Sequence, residues 1–332
     1  MAAFKSFGIG SAGAPKGAVP AMVPGERELA RLEGEAHGLT DRLPDLIVEA
    51  LRVSSTIAHG LHGRRRAGPG ETFWQFRPFE QFDAAPLIDW RRSAGSDHLY
   101  VREREWEAAH TFWLWPDISA SMDFNSHLSS VTKRDRAMVL FLAAAELLVR
   151  AGERVALLGL TKPTASRKAA SRLAEAIALN AASPVFTESL PPAIRLSRFS
   201  GLLLISDFLD PEADVVARME ALSAGGVSGH LIQVLDPAEE TLPYAGRAEF
   251  MGLEGGERWI TDRTETLRDA YVARLKAHRE TIAVAARRLG WTLLVHHTDR
   301  PATEPLLAFI MHLQNGGRGI MASQRAGFGV PA

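Results

Sequence analysis

The chain contains no cysteine in 332 residues. Disulfides, thiolate metal sites and thiol catalysis are therefore excluded, and oxygen and imidazole are the strong ligand types left. It also has no excess of charge. The formal net charge is −1, whereas a nucleic-acid or membrane-surface protein carries a basic footprint. Long apolar runs are missing too: the longest stretch, Ala137 to Val149, is interrupted by Glu146 and is too short to cross a bilayer. The first 25 residues carry Lys5, Lys16 and several Gly and Pro with no continuous apolar core, unlike a secretory signal. These absences predict a cytoplasmic protein. Enzyme signatures are likewise absent: there is no Gly-x-Ser-x-Gly elbow, Walker A loop, dinucleotide fingerprint or His-Glu-x-x-His.

What is present is ordinary globular material, 46% apolar and 23% charged. The length is enough for a large core. Residues 1–25 are expected to be a flexible tail, 26–106 an N-terminal helical and β-strap extension, 107–314 one α/β domain, and 315–332 a Gly-rich tail. A helix is expected from about Pro44 to Ile57, with strands over Phe73–Phe79 and Leu99–Arg104 around an irregular segment. Five large apolar residues (Phe73, Trp74, Phe76, Phe79, Trp90) imply that 71–104 cannot stand alone in water. From Thr111 strands and helices alternate: strands at 111–117, 154–160, 201–206, 228–235 and 291–296, helices at 133–151, 167–181, 211–224, 264–289 and 303–314. A helical turn is expected near Ser189–Leu196, and Tyr244–Ile260 suits a small antiparallel extension. Alternation of this kind predicts a doubly wound, mostly parallel sheet.

Two aspartates end apolar runs within that pattern: Asp117 closes Thr111-Phe112-Trp113-Leu114-Trp115-Pro116, and Asp207 closes Gly201-Leu202-Leu203-Leu204-Ile205-Ser206. In an open parallel sheet, ligands bind beyond the carboxyl ends of the strands, where both would sit. Residues 117, 119 and 121 alternate, so in an extended loop Asp117, Ser119 and Ser121 project to one side. One carboxylate and two hydroxyls facing a second carboxylate form an all-oxygen set suited to Mg²⁺ or Mn²⁺. The bland reading of the same residues is a turn aspartate followed by capping serines. Two uncompensated carboxylates should repel, so Asp207→Asn is expected to stabilise the metal-free fold or leave it unharmed while weakening metal affinity.

The Asp-x-Ser-x-Ser spacing resembles the metal-ion-dependent adhesion site of von Willebrand factor A domains. Upstream, Glu71-Thr72-Phe73, Arg77-Pro78-Phe79, Ile88-Asp89-Trp90, Ser93-Ala94 and Leu99-Tyr100-Val101-Arg102-Glu103, followed by Asp117-Ile118-Ser119-Ala120-Ser121-Met122 and Ser206-Asp207-Phe208, resemble domain-of-unknown-function family 58, DUF58. The resemblance implies a von Willebrand factor A-like fold over roughly residues 45–310, a bacterial context and a MoxR-type AAA+ ATPase partner. It also implies a metal set of Asp117, Ser119, Ser121 and Asp207, with Thr187 supplying the threonine that such domains bring from another loop; Thr187 is otherwise a helix N-cap. The chain departs from the family pattern at Phe82, Ala84, Pro86 and Gly95, so a loop that needs glycine at Phe82 has another shape here.

Other candidates carry less. Asp236 and Asp299 suit Asp-containing turns before proline or Arg-Pro. Arg77 and Asp89 suit a structural ion pair, and Arg64-Arg65-Arg66 a solvated turn. His59 and His62 flank a Gly-rich loop. His296 and His297 point to opposite faces of one strand and make a poor metal pair. The expected function is a metal-dependent protein-interaction module without a catalytic group. The alternatives are a metal-dependent phosphoesterase or hydrolase using the same pocket, and a metal-free scaffold. A dehalogenase-like phosphatase needs a second aspartate two positions after Asp117, where this chain has Ser119.

Overall fold

The computed structural model describes residues 7–8, 42–58, 73–79, 88–96, 98–104, 110–181, 183–253 and 258–326. They fall into two units, a larger one drawn from 1–60 and 110–332 and a smaller one from 61–109. Expectations for Arg64–Arg66, His59, His62 and the loop at Phe82, Ala84 and Pro86 lie outside the described residues.

In the larger unit the first two elements are a two-residue strand β1 (Phe7–Gly8) and a helix α1 over residues 42–58. Helix α1 buries Leu43, Leu46, Ala50, Ser54 and Ile57, a stripe at helical spacing. In the smaller unit, β2 (Phe73–Pro78) and β3 (Tyr100–Arg104) pair antiparallel. Between them lies the short helix α2 (Trp90–Ser93), whose N-cap Asp89 accepts from the Arg92 N–H at 2.9 Å. Asp89 is thus a cap. The Arg77 side chain lies outside the described residues. Trp90, expected to need burial, is 63% exposed.

The core of the larger unit is a five-stranded sheet in which every pairing is parallel. Its strands are β4 (Thr111–Pro116), β5 (Arg154–Leu157), β6 (Gly201–Ser206), β7 (Ser228–Leu235) and, beyond a small antiparallel sheet, β10 (Thr292–His297). The spatial order is β10-β7-β6-β4-β5. Strand β6 is buried at all six positions, as a central parallel strand covered on both faces must be. Helix α3 (Lys133–Arg150) packs against α4 (Ala169–Asn180) and α9 (Thr303–Ala326), while α6 (Glu212–Ser223) packs against α8 (Arg268–Arg288). An α/β fold with a parallel central sheet is therefore present, as the alternation predicts. β4 is flanked by the strand that follows it, β5, and by β6, so the strand order reverses between β4 and β6. That is the topological switch point where ligand crevices form.

Several local expectations are corrected. The helical turn expected near Ser189–Leu196 is instead α5 (Pro184–Thr187), capped by Ser183 with Pro at its first turn. Pro191 and Pro192 remove the donors that a helix over 189–196 would need. The Asp236-Pro237 turn opens a short helix, α7 (Pro237–Thr241). Tyr244–Ile260 does hold an antiparallel pair, β8 (Ala248–Gly252) with β9 (Arg258–Thr261), and β1 adds to β8. Helix α9 continues to Ala326, past the expected end at 314. The glycines at 316, 317 and 319 each cost about 1 kcal/mol in a helix, which did not stop it.

Candidate metal and binding site at the sheet switch point

The site begins with the way β4 ends. Asp117 still donates its backbone N–H to the Ile205 carbonyl at 2.8 Å, after which its side chain takes over from the ladder. One carboxylate oxygen accepts from the Ser119 N–H at 2.8 Å, and the other from the Ser206 hydroxyl at 2.7 Å. The first contact is an Asx turn, which Asp forms readily. Ser119 stands at the N-cap position of the 3₁₀ turn Ala120–Asp123 yet makes no side-chain cap bond. Its hydroxyl lies 3.2 Å from that of Ser121. Asp117, Ser119 and Ser121 are all buried, at 0%, 2% and 5% exposure.

Asp207 ends β6 in a different way. Phe208 adopts the left-handed conformation (φ 49°), unusual for a bulky residue and a mark of a turn held by its surroundings. Those surroundings are specific. The Phe208 N–H returns to the Ser206 hydroxyl at 3.1 Å, the Leu209 N–H to the Asp207 carboxylate at 3.2 Å, and Gln233 Nε2 donates to the Asp207 carbonyl at 2.8 Å. His278 Nε2 bonds the Phe208 carbonyl at 2.7 Å. The second Asp207 oxygen accepts from Lys133 Nζ at 2.8 Å, and Lys133 also donates to Glu239 at 2.7 Å. Lys133 is 0% exposed.

This overturns the picture of two uncompensated carboxylates. Asp207 has a buried ammonium, contributed by the first residue of α3. Burial alone would lower the Lys133 ammonium, but Asp207 and Glu239 outweigh it and hold it above its usual value. Among the described residues Asp117 has no such cation. Burial, then the Asp207 charge, lift its carboxyl from the usual range to about 8, against the lowering effect of the Ser119 and Ser206 hydrogen bonds. Burial also raises Glu239.

The third strand end completes the edge. Asp236, after β7, accepts from the Ala238 N–H while Glu239 accepts from the Asp236 N–H, a full capping box. The Asp236 carboxylate also accepts both the N–H and the hydroxyl of Ser126, which anchors the loop between the Ser121 turn and α3. Asp117, Asp207 and Asp236 thus terminate three neighbouring strands at one edge.

Of the candidate ligands, Asp117, Ser119 and Ser121 form one connected group, and Ser206 joins Asp117 at the end of the strand that Asp207 terminates. Thr187 is exposed at the end of α5, and no hydrogen bond joins it to the buried set. Asp299 follows β10 and lies 3.9 Å from Arg300. His296 is buried and His297 reaches Glu240, on opposite faces as their adjacency requires. Lys133, Ser206 and Glu239 went unrecognised in the sequence. Glu239 was legible as the last residue of an Asp-x-x-Glu capping box. For Lys133 no local signal exists, because it opens α3, 74 positions from Asp207.

Among the described residues no group of three or more His, Asp or Glu is placed to hold a metal, so a cation here would depend on hydroxyl oxygens. The donor set fits a hard cation. Two adjacent oxygens about 2.1 Å from Mg²⁺ lie about 3 Å apart, close to the 3.2 Å between Ser119 and Ser121. Asp117, Asp207, Asp236 and Glu239 are all buried at this edge, and Lys133 donates to two of them.

The family described as "Protein of unknown function DUF58" matches residues 75–281. The chain is 28% identical over 279 residues to the uncharacterized proteins Mb1516 of Mycobacterium bovis and Rv1480 of Mycobacterium tuberculosis, covering 78% of this chain and 85% of each relative. Among solved structures, the conserved hypothetical protein BatB of Bacteroides thetaiotaomicron superposes with a TM-score of 0.34 at 15% identity. An aerotolerance-related membrane protein of Bacteroides fragilis gives 0.35 at 16%. Each similarity covers 62% of this chain and 100% of the other.

Proposed function

This chain belongs to the DUF58 family, and we propose that it is a metal-dependent protein-interaction module of the von Willebrand factor A kind. The observation that carries the reading is the buried Ser119–Ser121 hydroxyl pair at 3.2 Å beside Asp117, at the point where the strand order reverses. Ser119 and Ser121 would hold Mg²⁺ or Mn²⁺, and Asp117 and Asp207 would support it, partly through water. A cation held there would supply a positive centre to which water, or a partner's carboxylate in its place, could bind. A partner's aspartate or glutamate would bind by displacing that water. By family resemblance the partner is a MoxR-type AAA+ ATPase, with this protein acting as a cytoplasmic accessory to an unknown client. Among the described residues no helix is long and apolar enough to cross a membrane.

Titration calorimetry with Mg²⁺ and Mn²⁺ tests the site: wild type should bind, and a folded Asp117→Ala variant should not. A pull-down with the ATPase in Mg²⁺ and in EDTA tests the interaction, and undiminished association in EDTA would overturn it. A panel of phosphoesters tests the hydrolase alternative. One observation favours a metal-free scaffold instead. Lys133 already gives Asp207 a cation, so absence of divalent binding in wild type would select that reading.

A further inference from the structure

We propose that Lys133 is the resident cation of this site and sets how strongly it attracts a divalent ion. The inference rests on reading the oxygen cluster as a divalent site, but it concerns Lys133 and Glu239, neither of which is among the proposed ligands. Lys133 Nζ sits 2.8 Å from Asp207 and 2.7 Å from Glu239, with side-chain exposures of 0%, 1% and 6%. A lysine is almost never buried unless paired. Here the pairing ties the strand end that faces Asp117 to the helix that follows β7. The ammonium belongs to the first turn of α3, so it is positioned by the same loop, 124–132, that carries the Ser126 anchor to Asp236.

A permanent positive charge next to one of the two supporting carboxylates has a definite consequence. It cancels part of the field that would draw in Mg²⁺ and occupies one Asp207 oxygen, leaving Asp117, among the described residues, as the carboxylate at this switch point with no ammonium beside it. It also keeps the strand ends together without a divalent ion. The metal-free fold is therefore stable, and a divalent ion is held weakly until a partner's carboxylate adds a further ligand. Removing the ammonium should increase divalent affinity. Removing the Glu239 charge, with Lys133 retained, should decrease it. A role confined to packing would damage both variants alike and would not give effects of opposite sign.

The test measures Mg²⁺ affinity by calorimetry and melting temperature in EDTA and in Mg²⁺ for the full chain, Lys133→Met and Glu239→Gln. Lys133→Met should melt lower than wild type in EDTA, recover on adding Mg²⁺ by more than wild type does, and bind Mg²⁺ at least about tenfold more tightly. Glu239→Gln should bind more weakly than wild type. If Lys133→Met does not fold in EDTA, its folding on addition of Mg²⁺ supports the inference and its failure to fold overturns it. Equal melting losses in EDTA and Mg²⁺ overturn it too, as does an affinity change of the same sign in both variants. Binding by Lys133→Met with none in wild type would support this inference while removing the metal-dependent function proposed for the natural protein.

Discussion

The Ser206 hydroxyl donates to the Asp117 carboxylate at 2.7 Å and accepts from the Phe208 N–H at 3.1 Å. One side chain thereby joins the end of β4 to the left-handed turn that carries the chain past Asp207. Both groups it serves are buried, so neither has bulk water as a substitute. Ser206→Ala should therefore destabilise the fold by about 1–3 kcal/mol, read as a lower urea midpoint at unchanged slope. An unaltered midpoint would mean that the Asp117–Ser206 contact is not formed in solution.

Asp207→Asn should be harmful in the metal-free protein, the reverse of what two bare carboxylates would predict. The substitution removes one of the two carboxylates, Asp207 and Glu239, that Lys133 pairs with among the described residues. A charged, buried hydrogen bond is lost, at about 1.5–3 kcal/mol. Chemical denaturation in EDTA measures it. A variant as stable as wild type would return Lys133 to the status of an incidental neighbour.

Acid should weaken the fold through two buried imidazoles. Burial, then His312, depress His230 from 6.5 to about 4; burial, then Arg136 and His297, depress His296 from 6.5 to about 3. Between those values and 6.5 the unfolded chain binds protons that the folded chain does not. Stability is thus fully present above about 6.5 and is lost as pH falls toward 4 and then 3. His230 bonds Thr292 through Nδ1 at 2.8 Å and packs edge-on to Phe309. Replacing it by Gln should reduce the slope of unfolding free energy against pH in this window by up to about one proton. An unchanged slope in His230→Gln would assign the acid sensitivity elsewhere.

Asp236→Ala removes the cap of α7 and both Ser126 contacts together. A cap alone is worth about 1 kcal/mol and the Ser126 pair adds to it, so a loss of about 2–4 kcal/mol is expected. Hydrogen exchange should rise in residues 124–129 as well as in α7. A rise confined to α7 would show that the loop is held by other contacts.

Much of the fold was legible because it follows from local periodicity. The run from Gly201 to Ser206 is apolar at every position but its ends, which only a strand covered on both faces tolerates. The alternation of such runs with helical segments forces parallel pairing. Asp117, Ser119 and Ser121 were grouped on the alternation expected of an extended loop, whereas Ser121 lies in the 3₁₀ turn Ala120–Asp123, and that turn sets its hydroxyl 3.2 Å from Ser119. Local chemistry was decisive at smaller scale too: Asp236 and Glu239, three apart, form a capping box whose sequence signature is short-range.

The charge state of the site was another matter. Asp117 and Asp207 are alike in sequence, each an aspartate after an apolar strand. Yet one is lifted to about 8, by burial first and then by the Asp207 charge, and the other is paired to a fully buried lysine. Lys133 lies in a Lys-Arg-Asp-Arg stretch that locally reads as a solvated first turn of a helix. It is buried because β6 and α7 converge on the N-terminus of α3. Likewise Thr187 has the right order in the chain, but α5 leaves it in solvent. Periodicity is a property of neighbours along the chain and survives without tertiary structure. Electrostatic partnership depends on distances between residues 74 and 106 positions apart, and only the folded sheet sets those.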